Sequence, residues 1–136
     1  MTKIPTHLKH KPIIAVDNYD KIDSKYAGQT DAKYLSIGEA QYNVKEISLK
    51  VFRNVNNKWS RQSEELPIHR NIDLNILFLA SLLTDINANY SQSSLREEII
   101  ESSKIHLIKN YYDNHKEKLY PRLEELKSLL DKFLAK

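Results

Sequence analysis

The sequence has no cysteine and only two glycines and four prolines among its 136 residues. Without thiols the chain forms no disulfide and no thiolate metal site. Two glycines are too few for a phosphate-binding loop of the dinucleotide or P-loop type. No apolar run approaches the ~20 residues of a membrane-spanning helix, and the first residues lack the apolar segment of a signal peptide. We therefore expect a cytoplasmic protein that does not associate with a membrane.

Signatures of catalysis and of metal binding are missing as well. The five histidines do not form a His-x-x-His or His-Glu-x-x-His pattern, and there is no Asp-rich calcium loop. Ser60 and Ser63 lack the glycine-flanked turn that exposes a nucleophilic serine. We therefore predict no metal and no cofactor, and the sequence favours a protein that is not an enzyme.

Length and charge limit the remaining possibilities. A chain of 136 residues fits one domain, and its formal net charge is +3. Residues 44–70 carry six basic and three acidic side chains, which equals the whole excess. A positive patch on a sheet attracts acidic partners or phosphates, although ordinary solubilising charge explains it equally well. The charge alone does not select a partner.

Alternating side chains predict a sheet in the first half of the chain. We expect an extended basic arm over residues 1–11, a mainly β region over 12–66 and a helical region over 72–136. Ile47, Leu49, Val51 and Val55 share one face of a strand and Ser48, Lys50 and Asn54 the other, which is typical of a half-buried strand. The Asn56-Asn57 pair predicts a tight hairpin turn, after which Trp59 to about Leu66 returns as an edge strand.

The second half of the sequence has helical periodicity. Apolar residues surround the segment 72–86 on nearly every side, which predicts a buried helix. Ser94 to Glu97 resembles a capping box that opens a second helix. A heptad seam marks a third helix at Leu119, Leu123, Leu126, Leu130 and Phe133. The predicted fold class is α+β: a small antiparallel sheet of three to four strands packed against a buried helix, with two further C-terminal helices.

A polar surface at the change from strand to helix is the candidate binding site. Trp and Arg are the residue types that most often dominate binding energy, and rigid elements on both sides of this junction would position them. The surface comprises Trp59, Arg61, Glu65, His69 and Arg70, with Arg53, Asp31 and Lys33 alongside. In the structural alternative, Arg61 and Arg70 only pair with Glu64, Glu65 or Asp73 and leave no site.

Three stretches of the sequence resemble a known family. The runs 31–43 (DAKYLSIGEAQYN) and 59–74 (WSRQSEELPIHRNIDL), with the opening 4–12 (IPTHLKHKP), are similar to the bacterial domain of unknown function family 6530. The resemblance covers roughly residues 4–83, and the helical tail is less distinctive. It implies a bacterial source and a cytosolic single-domain protein, but it supplies no activity.

Three functions remain open at this point. A non-catalytic binding or regulatory module, with a protein partner or a homodimer, suits the heptad seam and the mixed-charge surface. A binder of nucleic acid or nucleotides would use Lys50, Arg53, Lys58, Trp59 and Arg61 as a groove, a layout similar to that of whirly-type single-strand binders. An enzyme would need His69, Arg70 and Glu65 to converge in a pocket.

Overall fold

The computed structural model describes residues 4–60, 64–87 and 90–136, and within them five strands precede three α-helices. The strands are β1 (Lys11–Val16), β2 (Ala32–Ala40), β3 (Asn43–Val55), β4 (Lys58–Trp59) and β5 (Glu64–Pro67). The helices are α1 (Ile68–Leu83), α2 (His106–Asn114) and α3 (Lys116–Leu134). The predicted α+β class is confirmed, and the sheet has five strands where three to four were predicted.

All strand pairs in this sheet are antiparallel. β2 lies between β1 and β3, while β4 and β5 pair with successive stretches of the free edge of β3. Asn56 and Asn57 connect β3 to β4 with φ angles of 52° and 65°. A two-residue turn with φ > 0 at both positions matches the twist of the strands that flank it. The hairpin predicted from the Asn pair is therefore confirmed.

Two short 3-10 turns, Tyr19–Lys21 and Ser24–Tyr26, lie in the connection between β1 and β2. The amide of Gly28 donates a hydrogen bond of 2.8 Å to the carbonyl of Asp20, which closes the loop on itself. The connection is therefore a compact structure beside the sheet.

The two faces of the sheet are buried to different extents. One side of the sheet carries buried residues at alternate positions of β2 and β3, among them Ser36, Ser48, Lys50 and Phe52. We call this side the covered face. The other side, the aliphatic face, carries Leu35, Ile37, Leu49 and Val51, which are half-buried or exposed. The alternation is as predicted, but the polar side is the one that is covered.

The residues before β1 are not a solvated arm. Pro5 and His10 are buried, and the ammonium of Lys11 donates to the carbonyl of Thr6 at 2.9 Å. These contacts hold residues 4–10, which we call the N-terminal segment, in an irregular folded conformation. The extended basic arm predicted over residues 1–11 is therefore wrong for the part that the structure describes.

Helix α1 differs from its prediction in position and in burial. It begins at Ile68, directly after Pro67, and ends at Leu83, whereas residues 72–86 were predicted. Ala80 is its buried residue, and Ile72 and Leu74 are 53% and 52% exposed. The predicted burial of this helix is therefore wrong. Hydrophobicity on all sides predicted the helix correctly, but burial depends on neighbours that are distant in sequence.

The C-terminal region begins with irregular chain. No α-helix starts at Ser94; instead the carboxylate of Glu97 accepts hydrogen bonds from the Gln92 amide and the Ser93 hydroxyl. The hydrogen bond from Ser93 lowers the pKa of Glu97. The same pattern that makes a capping box here closes a loop. Because the next α-helix starts at His106, the region predicted as helical over 72–136 is helical only in part.

Helix α3 contains the predicted heptad seam. Leu119 and Leu123 are half-buried, whereas Leu130 and Phe133 are exposed. The chain divides into two compact units, one ending at Asn75 and the other starting at Ile76. That the chain forms a single domain stays a prediction.

Candidate functional site

A group of five polar side chains lies on the covered face, and we call it the buried polar cluster. It consists of His10, Ser36, Ser48, Lys50 and Glu65, contributed by the N-terminal segment, β2, β3 and β5. The strand register brings them together, since Lys50 pairs with both Ser36 and Glu65 in neighbouring strands. His10 is fully buried between the two serines.

A continuous series of hydrogen bonds connects most members of the buried polar cluster. The His10 ring contacts Ser36 Oγ through Nε2 at 2.9 Å and Ser48 Oγ through Nδ1 at 3.0 Å. The Ser48 hydroxyl donates to Glu65 Oε2 at 2.8 Å, and the backbone amide of Gln41 donates to the same oxygen at 3.0 Å. A buried polar group without a partner lowers the stability of the fold. This series of hydrogen bonds therefore fixes the position of the N-terminal segment on the sheet.

The two charged members of the cluster face each other. Lys50 Nζ lies 3.8 Å from Glu65 Oε1, and both side chains are 3% exposed. Desolvation lowers the pKa of Lys50, with a smaller opposing effect from Glu65. Glu65 Oε1 is buried without a hydrogen-bond partner, so the ion pair with Lys50 is what compensates it.

Aromatic rings continue the covered face beyond the cluster. Phe52 lies edge-on to the His10 ring at 5.6 Å between centroids, and the Lys50 ammonium is 4.7 Å from the centre of the Phe52 ring. Trp59 contacts Phe52 at 6.0 Å and Tyr34 at 5.6 Å. Trp59 is therefore a packing residue at the edge of the core, and its ring is only partly available to a ligand.

Arg53 lies on the opposite face and pairs with Asp31. Its Nε donates to Asp31 Oδ1 at 2.7 Å and one terminal nitrogen donates to Oδ2 at 3.3 Å. Glu64 Oε1 lies 3.7 Å from the other terminal nitrogen. The hydrogen bond from Arg53 lowers the pKa of Asp31 and raises that of Arg53. Arg53 is 39% exposed, so it ends the buried stretch at the rim of the sheet.

A hollow of about 540 Å³ opens beside this ion pair, and we call it the Arg53 hollow. Its volume is in the range of small-ligand sites. The 3-10 turns of the β1–β2 connection form one wall, and β2, β3 and β5 form the other. The lining residues are Tyr19, Asp23, Tyr26, Gln29, Thr30, Asp31, Ala32, Val51, Arg53 and Glu64.

A second hollow, of about 530 Å³, lies on the aliphatic face. It is lined mainly by side chains of β1, β2 and β3, among them Ile14, Val16, Leu35, Leu49 and Val51. Few polar groups lie around it to orient a ligand. The Arg53 hollow therefore combines size with several hydrogen-bonding and charged groups, whereas this one is mainly apolar, with Glu64 and Asn71 among its few polar lining residues.

The predicted polar surface is distributed over several places. Arg53 and Asp31 form one ion pair, and Lys33 instead donates to Asp20 at 3.2 Å. Trp59 and Glu65 belong to the covered face, on the other side of the sheet from Arg53. His69 and Arg70 are exposed on the first turn of α1, and Arg61 lies outside the described residues.

Sequence reasoning did not identify His10, Ser36, Ser48 or Lys50 as one group. The alternation of Ser48 and Lys50 was visible, but it was read as the solvent side of the strand. A usable signal was the lack of large apolar residues at the alternate positions Ser36, Gly38 and Ala40 of β2. Such small side chains leave room for another segment to lie against the sheet.

Within the described part of the chain, no group of three or more His, Cys, Asp or Glu side chains is arranged to hold a metal ion. The helices in the same residues include none that is long and apolar enough to cross a membrane.

Comparison with known proteins yields one match. The model of a family of unknown function, DUF6530, matches residues 2–99, which include strands β1 to β5 and helix α1. No curated protein and no solved structure matches the chain. Because the match spans well over half of the 136 residues, the chain belongs to the family of unknown function DUF6530.

Proposed function

We propose that this protein is a small non-catalytic binding module whose partner places a basic group in the Arg53 hollow. The observation that carries the proposal is the hollow itself, a polar cavity of about 540 Å³ between the sheet and the β1–β2 connection. Two residues of the predicted surface, Asp31 and Arg53, line it.

The charges around the hollow support a cationic ligand. Three carboxylates, those of Asp23, Asp31 and Glu64, face the single guanidinium of Arg53. Both oxygens of Asp31 already accept hydrogen bonds from Arg53, so this guanidinium is committed to a carboxylate and poorly placed to bind an anion. Glu64 also lies 3.7 Å from Arg53, so three carboxylates share one guanidinium and this group of side chains is net negative; Glu64 is 63% exposed.

Aromatic rings in the hollow suit the same ligand. Tyr19 and Tyr26 both line it, and tyrosine faces attract ammonium and guanidinium groups. The ammonium of Lys25 already lies 5.2 Å from the centre of the Tyr26 ring. A lysine or arginine side chain of a protein partner combines the required charge with a stem that packs on these rings.

The two alternative functions have less support. For a nucleic-acid groove, Lys50 would have to be accessible to phosphate, yet it is 5% exposed on the covered face. For an enzyme, Glu65 would have to act with His69 and Arg70, yet its Oε2 is bonded to Ser48 and to the Gln41 amide. Both groups are committed to the fold.

Nuclear magnetic resonance with short peptides tests the proposal. Tri-arginine and tri-lysine amides should shift the amide signals of Gln29 to Ala32 and of Arg53, whereas tri-glutamate, inorganic phosphate and an oligothymidylate should not. Glu64→Gln should weaken peptide binding about threefold or more, since it removes a charge that faces the ligand.

Glu46→Gln is the matched control, because Glu46 is an exposed carboxylate elsewhere on β3. Equal weakening by the two variants would reduce the effect to net charge and contradict a site in the hollow. Preferential binding of the oligothymidylate would replace the proposal with the nucleic-acid alternative.

A further inference from the structure

The N-terminal segment is attached to the sheet through one titratable ring. Both nitrogens of His10 contact serine hydroxyls that belong to β2 and β3, 26 and 38 residues away in sequence. Pro5 is the other buried residue of this segment. The neutral imidazole has one donor and one acceptor, and serine hydroxyls can serve as either, so the neutral ring satisfies both contacts.

The charged side chains that face His10 already neutralise each other while the His10 ring is uncharged. Lys50 of β3 and Glu65 of β5 face the ring as one cation and one anion, with Glu65 Oε2 3.7 Å from Nδ1. Ser36, Ser48 and Phe52 also contact the ring and are uncharged. A proton on His10 would therefore add a third, uncompensated charge to a buried site, and both ring nitrogens would have to donate.

We propose that His10 is a pH-sensitive latch: the neutral ring holds residues 4–10 on the covered face of the sheet, and its protonation releases them. The released segment would uncover the buried polar cluster and the adjoining Phe52 and Trp59 rings. The device lies on the opposite face from the Arg53 hollow and is independent of the proposed function.

The direction of the pH effect follows from linkage. Burial lowers the pKa of His10 from its ordinary value of 6.5, aided by the charge of Lys50 and opposed by that of Glu65. The released state therefore binds the proton more tightly than the docked state. Docking is at full strength above about pH 6.5 and weakens by up to about tenfold per pH unit below it, until the docked ring itself becomes protonated.

A pH titration from 7.5 to 5.0 followed by nuclear magnetic resonance tests the latch. The amide signals of residues 4 and 6–10 should move to unstructured positions as the pH falls, while the amides of β2 and β3 keep their shifts and their slow exchange. In His10→Gln, whose neutral side chain also donates and accepts, this transition should be absent. His7→Gln, at an exposed position in the same segment, should behave like the parent chain.

Three results would overturn the latch: a segment that stays docked to pH 5.0, a release that coincides with unfolding of the sheet, or the same transition in His10→Gln. Should His10→Gln fail to fold, Ser36→Ala decides. It removes the partner of Nε2 and should lower the docking equilibrium about fivefold at pH 7.5, so that release occurs at a higher pH. An unchanged release pH in that variant would also overturn the proposal.

Discussion

The two faces of the sheet differ in a way that their composition does not suggest. The covered face carries His10, Lys50 and Glu65 among its contacts and is buried, whereas the aliphatic face carries Leu49 and Val51 and is half-exposed. An antiparallel sheet more often packs its apolar side inward and leaves the polar side to water. In this chain the covered face is stabilised by pairing: two serines and one ion pair provide partners for its buried polar side chains, and the rings of Tyr34, Phe52 and Trp59 pack beside them.

Two properties of a strand have to be distinguished: which side chains share a face, and which of the two faces is buried. Period-two alternation tells which side chains share a face, because it depends on local backbone geometry. Which face is covered depends on the segment that lies against it. That segment is the residues before β1, and neither the alternation nor the strand order contains this information.

The largest expected effect comes from truncating the ring at the centre of the covered face. Phe52 is 1% exposed, so Phe52→Ala should lower the free energy of unfolding by ~3–5 kcal/mol. Val51→Ala, the neighbouring position on the aliphatic face, should cost only about 1 kcal/mol because Val51 is half-buried. Urea unfolding measures both, and equal losses would mean that the two faces do not differ in burial.

Breaking the buried ion pair from one side should have the next largest effect. Lys50→Met leaves the Glu65 carboxylate buried without its cation and should cost roughly 3 kcal/mol. The double variant Lys50→Met with Glu65→Gln should be more stable than Lys50→Met alone, since no unpaired charge remains. A double-mutant cycle with additive losses would show that the two groups do not interact across the 3.8 Å between them.

The close approach of β1 to β2 gives a third test. A Cβ on Gly38 would lie 2.0 Å from the carbonyl oxygen of Lys11 and 2.7 Å from its carbonyl carbon, so Gly38→Ala must displace backbone. We expect a loss of ~2 kcal/mol, as for overpacked sites, with faster amide exchange in β1.

Gly28→Ala serves as a contrast, because its Cβ would meet no atom within 4 Å and only its φ of +82° opposes the change. It should cost about 1 kcal/mol and leave β1 undisturbed. Fast exchange in β1 for both variants would show that the close approach at Gly38 is not what limits this position.

The smallest effect concerns the hairpin turn. Asn57 has a φ of 65° at the second turn position, where glycine has no steric cost. Asn57→Gly should be neutral or stabilise the chain by a few tenths of a kcal/mol, whereas Asn57→Ala should cost about 1 kcal/mol. Thermal unfolding of the two variants checks the order, and equal stabilities would contradict a left-handed residue at this position.

The features of the fold that depend on residues close together in sequence could be predicted from the sequence. The Asn56-Asn57 turn, the alternation along β3 and the helical character of the second half follow from local backbone preferences. The burial of α1 and the helix at Ser94 were predicted wrongly. In each case a local pattern was compatible with two environments, and distant contacts decided between them.

The candidate site was predictable only in part. Arg53 and Asp31 were both named for the polar surface, and the structure joins them in one ion pair. Trp59 and Glu65 share a face, as expected, but that face is covered. His10 and Ser36 were missed because their contacts join segments 26 residues apart.

Differential modification of lysines tests the central claim, the burial of the covered face, most directly. Acetylation at neutral pH followed by mass spectrometry should modify Lys45 and Lys58, which are exposed on the same hairpin, well before Lys50. The Lys50 side chain is 3% exposed, so the reagent should reach its amine only slowly in the folded protein. Modification of Lys50 as fast as that of Lys45 and Lys58 in the folded protein would contradict the account.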